Sequence, residues 1–389
     1  MSLFVEVEAL QRRKRGEDIC GDAFVSRKLP DENRVIAVLS DGLGSGVKAN
    51  VLASMTAAMA LHFSASDMDF LRSAEIMMDA LPVCQVRRIS YATFTIVDTK
   101  LNGGTHIIEM GNPRFLLVRD GAVLDVPTTE MQSPKWSDRS MLCADIDTKA
   151  EDRIIVLSDG ITQAGMGGER YKLGWRRDGC VSFVEQRVAE QPSISARQLA
   201  REIVGQAIRC TDNHQAADDM TAGVIYFRQP RNLLVLTGPP FQESSDQYCA
   251  QLIRDFPGRK AICGGTTATI VGRELGRDIT TQLRSASRDL PATSMMPGVD
   301  LVTEGILTLT RTAQYLEAEE PVQQDDAAAR LVKLLLESDV IQFVVGARVN
   351  EAHQDPSLPV DLDIRRNIIK RIAHTLSARY LKEVETRYI

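Results

Sequence analysis

Apolar and polar positions alternate over residues 3 to 8, LFVEVE, and predict a first strand. Residues 24 to 29 and 34 to 40 (RVIAVLS) predict two more strands, and PDEN between them is a turn signal for a hairpin. An apolar helix is expected from about Val47 to Phe63, read as buried, and a second helical period runs through Phe70, Leu71, Ala74, Met77, Met78 and Leu81. Four strand candidates follow: YATFTIVD, GTHIIEMG, RFLLVRDG and AVLDVP. GG, GNP and DG separate them, as in a β-meander. RIIVLSDG predicts another strand, residues 195 to 210 a helix, and AADDMTAGVIYF a further strand.

The pattern changes at RQPRN, 228 to 232, which sets the expected boundary between a domain of residues 1–229 and one of residues 230–389. Beyond it, strands and helices alternate. NLLVLTG leads to a helix over 244–256, KAICGG to TTATIVGREL, and VDLVTEG to a helix over 306–318. A helix over 326–338 precedes VIQFVVG. This alternation predicts a small α/β domain. The last helix is expected from about Asp363 to the end. Its stripe, Ile364, Ile368, Ile372, Leu376 and Tyr380, widened by Ile369 and Val384, packs on its own domain or serves a homodimer.

Composition narrows the function. Lys plus Arg is 46 and Asp plus Glu is 52, a net charge of −6, so no whole-chain basic footprint for nucleic acid exists. Seven cysteines stand singly with no CxxC pair, against a disulfide framework or zinc-thiolate site and in favour of reduced thiols in the cytoplasm. No stretch reaches the ~18 apolar residues of a membrane span.

Candidate chemistry lies in four acidic motifs: Gly21-Asp22-Ala23-Phe24, Asp41-Gly42-Leu43-Gly44-Ser45-Gly46, Ser158-Asp159-Gly160 and Asp218-Asp219-Met220-Thr221. Asp41 and Asp159 each end an apolar strand. One strand-terminal Asp-Gly is an ordinary turn. Several converging carboxylates would repel one another unless protonated, capped by amides or neutralised by a cation, and a hard divalent ion resolves all of them at once. The glycine after each Asp allows unusual backbone angles and close approach of a carbonyl to a ligand.

ICGDAF (19–24), LSDGLGSGVKAN (39–50), GNPRFLLVRDG (111–121), LSDGI (157–161) and DDMT (218–221) stand in an order that resembles the metal-dependent phosphatases of the protein phosphatase 2C superfamily. The bacterial branch typified by the sporulation stage II protein E phosphatase is the nearer one, and the resemblance spans about residues 15 to 227. It implies an α+β fold, a sandwich of two antiparallel sheets flanked by helices, followed here by the smaller α/β domain. It also implies two Mn²⁺ or Mg²⁺ ions at one end of the sandwich. Carried over, Asp41 would bridge both ions and the Gly42 carbonyl would bind the second. Asp159 and Asp218 would hold the first. Asp22 would support the second, and Asp219 would stand behind them. The implied reaction is phosphoserine/phosphothreonine hydrolysis by a metal-activated water attacking phosphorus in line. The implied substrate is a phosphorylated regulatory protein.

Some relatives carry a His where this chain has Leu43, and their phosphate-gripping Arg has no clear match. Arg12, Arg13 and Arg15 qualify by position only, and Asp18 competes weakly with Asp22. GLGSG lacks the third glycine of a dinucleotide fingerprint. His214 is expected at the surface, His62 in the core, and Met55, Met77 and Met78 as core filler. Cys263-Gly264-Gly265-Thr266-Thr267 could offer amides to an anion, with a hairpin turn the preferred reading. The alternatives to an enzyme are a catalytically weak phosphatase-like scaffold, or a small-molecule sensor acting through residues 230–389.

Overall fold

The computed structural model describes residues 3–68, 70–80, 92–101, 104–133, 136–282, 293–318, 325–347 and 359–389. Leu81, Cys84 and Tyr91 lie outside them. The chain divides into two compact units, Met1–Gln229 and Pro230–Ile389.

The first unit opens with β1 (Phe4–Arg12), β2 (Asp22–Leu29), β3 (Arg34–Gly42), α1 (Gly46–Ala65) and α2 (Phe70–Ala80). It continues through β4 (Ala92–Lys100), β5 (Gly104–Met110), β6 (Leu116–Arg119), β7 (Ala122–Leu124), β8 (Thr129–Ser133), β9 (Trp136–Asp147) and β10 (Arg153–Leu157). It closes with α3 (Asp159–Thr162), α4 (Arg176–Glu190), α5 (Ala196–Cys210) and β11 (Met220–Arg228).

Two sheets result, ordered β1-β11-β10-β6-β7 and β2-β3-β4-β5-β9-β8, with every pairing antiparallel. One packs its outer face on α3, α4 and α5, the other on α1 and α2. Nearly every residue of β3 and β11 is buried, because each strand is covered on both faces and so reads as a continuous apolar run. The sheets touch closely at Gly223. A Cβ there would lie 2.5 Å from the Phe24 ring and 2.8 Å from Val156. This is the expected α+β sandwich.

The β2–β3 hairpin forms as predicted, with Asn33 left-handed (φ 49°) at its turn. The four-strand meander does not. β4 pairs with β5 and β6 with β7, but β5 and β6 belong to different sheets. The chain crosses between them at Gly111 (φ 79°), Asn112 and Pro113. Glu109, 3% exposed, accepts the backbone N–H of Phe115 at 2.8 Å and pins the crossing. α1 also departs from expectation. Small residues (Ala49, Ala53, Ala57, Ala60) face the sheet, so the helix lies close to it, while Val47, Val51 and Met55 face outward. His62 and Met55 are therefore exposed rather than core, whereas Met77 is buried.

The second unit contains β12 (Asn232–Thr237), α6 (Asp246–Asp255), β13 (Arg259–Cys263), α7 (Gly265–Leu275), β14 (Thr280–Gln282), β15 (Thr293–Met296) and β16 (Val299–Thr303). α8 (Ile306–Glu317), α9 (Ala327–Leu336), β17 (Val340–Val345), α10 (Pro359–Tyr380) and β18 (Glu383–Tyr388) complete it. Its sheet runs β14-β15-β16-β13-β12-β17-β18, and the five strands from β16 to β18 are parallel. Leu234 and Leu236 of β12 pack with α6 and α7, while Leu233 and Val235 pack with α8, α9 and α10. The sheet is thus doubly wound, and the winding direction reverses between β12 and β17.

The terminal helix stops at Tyr380, not at the chain end. Leu381 turns left-handed (φ 54°), and the alternating Glu383–Tyr388 then adds an edge strand to β17. Ile368, Ile369, Ile372 and Leu376 are buried as expected, with Ile364 37% exposed.

The first and last strands of the first unit are tied by a buried ion pair. Arg228 donates to Glu6 through Nε at 2.9 Å and Nη2 at 2.7 Å, and Glu6 also accepts the Ala196 N–H at 3.1 Å. Replacing Glu6 with Ala should leave an unpaired buried guanidinium and lower stability by about 3–5 kcal/mol in urea titration. Glu6→Leu combined with Arg228→Met should recover most of that loss. A single variant as stable as the parent would show that the pair holds nothing.

Candidate metal centre

Acidic side chains come to one rim of the sandwich from four chain segments. Asp22 opens β2 and sits opposite Asp41, the penultimate residue of β3, in the antiparallel register. Asp159 is the first residue of α3, after Ser158 at the end of β10. Asp218 and Asp219 immediately precede β11. The glycines that follow two of these acids are fixed by contact. A Cβ on Gly42 would lie 2.2 Å from the Ala49 carbonyl oxygen, and one on Gly160 would lie 2.0 Å from that of Asp219. Backbone therefore packs directly on backbone at both Asp-Gly steps, which holds α1 and the 218–219 turn against the rim.

The electrostatics are those of crowded acids. Asp22 is 2% exposed. Its Oδ2 accepts the Thr221 hydroxyl at 2.6 Å, while Oδ1 is buried with no hydrogen-bond partner. Burial, above all, pushes its pKa up to about 6. The Thr221 and Ser158 hydroxyls oppose the rise, and Asp219 and Asp159 add to it. Asp41 is pushed up to about 9, by burial first and then by Asp22 and Asp159. Burial also raises Asp159, which hydrogen-bonds Asp41 and accepts Gln163 Nε2 at 2.9 Å. Burial and the neighbouring carboxylates thus favour the protonated form of Asp41, beside Asp159. A proton held there would answer the crowding as a cation would.

Asp218 receives the only partial neutralisation from a side chain seen at this rim among the described residues, Lys14 Nζ at 3.6 Å. Asp219 turns inward. Its Oδ1 accepts the Lys14 backbone N–H at 2.9 Å, and its Oδ2 lies 2.7 Å from where Gly21 would carry a Cβ. Among the described residues, no group of three or more His, Cys, Asp or Glu side chains already stands as a cage for one metal ion. The donors nevertheless fit a hard divalent cation. Asp22, Asp41 and Asp159 are carboxyls of raised pKa, and Asp22 holds an orphaned buried oxygen, so the rim lacks compensating charge.

The rim thus gathers Asp22, Asp41, Asp159 and Asp218, with Gly42 beside them. Asp219 serves the Lys14 turn. Asp18, Arg12, Arg13, Arg15 and His214 are exposed. Lys14 belongs to the basic run Arg12-Arg13-Lys14-Arg15, which reads from sequence as a solvated turn or a contact for a phosphorylated substrate and does not single it out. The Arg15 N–H bonds the Ala216 carbonyl at 2.9 Å and so brings this run beside Asp218. A cleft of about 270 Å³ adjoins Asp218, lined by Gly160, Gln163, Met166, Asp212, Gln215 and Met220 among others.

The model of the family described as "Stage II sporulation protein E (SpoIIE)" matches residues 31–228. No curated protein sequence matches the chain. Among solved structures, the phosphatase domain of the Bacillus subtilis cell fate determinant SpoIIE is 19% identical, with TM-score 0.45, covering 59% of this chain and 94% of that one. A second Bacillus subtilis SpoIIE structure, with a fragment of its regulatory domain, is 20% identical, with TM-score 0.48 and coverage of 58% and 64%. The RsbU and RsbW domains of a Mycobacterium tuberculosis protein are 17% identical, with TM-score 0.45 and coverage of 65% and 68%.

Crowding has a pH signature. Folded Asp22 and Asp41 hold their protons more tightly than the ordinary value of 3.8. The stability this gives the metal-free chain is complete below pH ~4 and is lost as pH rises through about 6 and about 9. In chelator, the melting temperature should therefore fall from about pH 5 to about pH 9, and Asp41→Asn should flatten part of that slope. A melting temperature rising through this window would contradict the crowded arrangement.

Proposed function

We propose that this chain, which belongs to the stage II sporulation protein E family, is a metal-dependent phosphoserine/phosphothreonine protein phosphatase. The observation that carries the reading is the convergence of Asp22, Asp41, Asp159 and Asp218 on one rim, where burial and mutual repulsion raise Asp22, Asp41 and Asp159. Asp41, Asp159 and Asp218 would be the principal ligands of two Mn²⁺ or Mg²⁺ ions. Asp22 would assist from its buried position, the Gly42 carbonyl is the candidate backbone ligand, and Asp219 would act from behind by fixing the Lys14 turn. Bound ions of this kind activate a water at neutral pH and clamp phosphoryl oxygens.

The remaining tasks belong to the chain. Asp41 gives up its proton when the site is loaded, and its carboxylate then faces Asp159 as an anion. Lys14, released from Asp218, offers an ammonium to the phosphate dianion at the same rim, the role assigned by position to Arg12, Arg13 and Arg15. Leu43 carries no proton, so the leaving serine or threonine oxygen takes one from solvent. The 270 Å³ cleft beside Asp218 has room for the residues that flank the phosphorylated side chain. Its exposed, polar rim suits a protein substrate, and a phosphorylated regulatory protein is the substrate class proposed. No described helix is long and apolar enough to cross a membrane, and a cytoplasmic location is part of the proposal.

The test is Mn²⁺-dependent hydrolysis of an aryl phosphate and of a phosphoserine protein. Asp41→Asn and Asp159→Asn should each lose more than the roughly 10–100-fold that removal of an outer-sphere partner costs a metal site. Activity unchanged in both would end the phosphatase reading and leave a scaffold. Lys14→Ala should raise KM for the phosphoprotein several-fold with a smaller change in kcat. A pure kcat effect would remove Lys14 from phosphate binding.

A further inference from the structure

The second unit carries a polar constellation that the phosphatase reading does not use. It lies at the carboxyl ends of the central parallel strands, where an open doubly wound sheet leaves a crevice. β13 ends at Cys263 and the chain enters α7 directly, so Gly264-Gly265-Thr266-Thr267 is a strand-to-helix turn and not the hairpin turn expected from sequence. Gly264 takes φ 147° as the N-cap and makes no side-chain cap. The N–H groups in the first turn of an α-helix have no acceptor inside the helix, and the dipole adds partial positive charge there.

A second observation is independent of the helix end. Thr267 is 1% exposed, and its hydroxyl has no hydrogen-bond partner. Burying a hydroxyl in that state is unfavourable unless something satisfies it. The hydroxyl faces the space left by the missing side chain of Gly264. A Cβ there would be 3.1 Å from Thr267 Oγ1 and 3.9 Å from the Gly238 nitrogen, and Gly238 follows β12.

A third group reaches the same end of the sheet from its opposite face. Arg365 of α10 places Nη1 2.6 Å from where Gly238 would carry a Cβ. The end of β12 thus lies between a guanidinium and the amino end of α7. One acid also stands at this rim. Glu304, after β16, accepts the Gly305 N–H at 3.2 Å, and its Oε1 is 3.5 Å from where Gly265 would carry a Cβ. A carboxylate there opposes a bare anion and suits a donor hydroxyl.

We propose that the turn Gly264–Thr267, with Gly238 and Arg365, binds the phosphate of a small phosphate ester whose organic part presents hydroxyls to Glu304, as in a sugar phosphate or nucleotide. The phosphate oxygens accept from the first turn of α7, from Thr267 Oγ1 and from Arg365. This site is independent of the metal centre, and it gives the second unit a ligand-binding role whether or not the first unit is a phosphatase.

The test is isothermal titration of the full chain with ribose 5-phosphate, AMP and orthophosphate. Chelator is present throughout, so that the metal centre of the first unit is not loaded. At least one ester should bind more tightly than orthophosphate. Thr267→Val or Arg365→Met should weaken it by at least about tenfold, the scale of one hydrogen bond to a charged group. Thr267→Val exchanges an unsatisfied hydroxyl for a methyl, so its melting temperature without ligand should be unchanged or higher, which separates lost binding from lost folding. No heat with any of the three ligands overturns the proposal, as does ester binding that survives both variants. Orthophosphate binding as tight as the esters overturns the assignment to an ester.

Discussion

Backbone packed on backbone at two Asp-Gly steps is the constraint on which the acidic rim depends. Gly42 lies against the Ala49 carbonyl and Gly160 against that of Asp219. Neither position has room for a side chain, so α1 packs closely on the end of β3 and the 218–219 turn on the start of α3. Together with the β2–β3 register that sets Asp22 opposite Asp41, these contacts bring four carboxyl groups to one rim. The repulsion has to be answered chemically. In the chain as it stands the answers are raised proton affinity at Asp41 and Asp159, the Thr221 hydroxyl on Asp22 and the ammonium of Lys14 near Asp218.

This arrangement also explains how much of it could be read from the chain. Apolar runs ending in Ser-Asp-Gly announce strands that deliver a carboxylate to a sheet rim, and their order matched a family. The sheet that each strand joins is not written locally. GTHIIEMG and RFLLVRDG look like neighbours in a meander, yet they pair with β9 and β10, because a buried glutamate and a Gly-Asn-Pro turn carry the chain across the sandwich. The helix after Asp41 was legible as a helix but was read as buried throughout. Its alanines point inward precisely where close approach is needed, so Val47, Val51 and Met55 face out and apolarity ceases to mark burial. The basic run was legible but Lys14 was not distinguished within it, because long-range backbone pairing of Arg15 with Ala216 decides which of four successive basic residues meets the acids.

In the second unit, strand–helix alternation foretold the class but not the winding. The order β16-β13-β12-β17-β18 follows from α6 and α7 packing on one face and α8 to α10 on the other. Local hydrophobicity cannot assign that choice, since a strand buried on both sides shows no preferred face. The same ambiguity hid β18. EVETRY follows a helix of regular period, and only the left-handed Leu381 and the open edge of β17 divert it into a strand. Gly-Gly-Thr-Thr was equally ambiguous, since a glycine pair serves a hairpin and a helix start alike until the next strand is placed.

Proton and cation are alternative answers to the same crowding, and this links the two states of the proposed enzyme. Asp41 cannot be both the donor to Asp159 and a fully charged ligand, so loading the rim must expel a proton. Metal affinity should therefore increase with pH up to the range where Asp41 ionises unaided, and proton release should accompany binding. Lys14 enters the same balance. While it faces Asp218 it opposes a cation, and in the proposed enzyme its displacement would leave an ammonium available to a phosphate. A chain that needed these acids only for its fold would be better served by amides, which satisfy the same hydroxyls without repulsion. Four ionisable groups crowded on one rim are hard to account for by structural economy, and a bound cation is the answer that the proposed function gives.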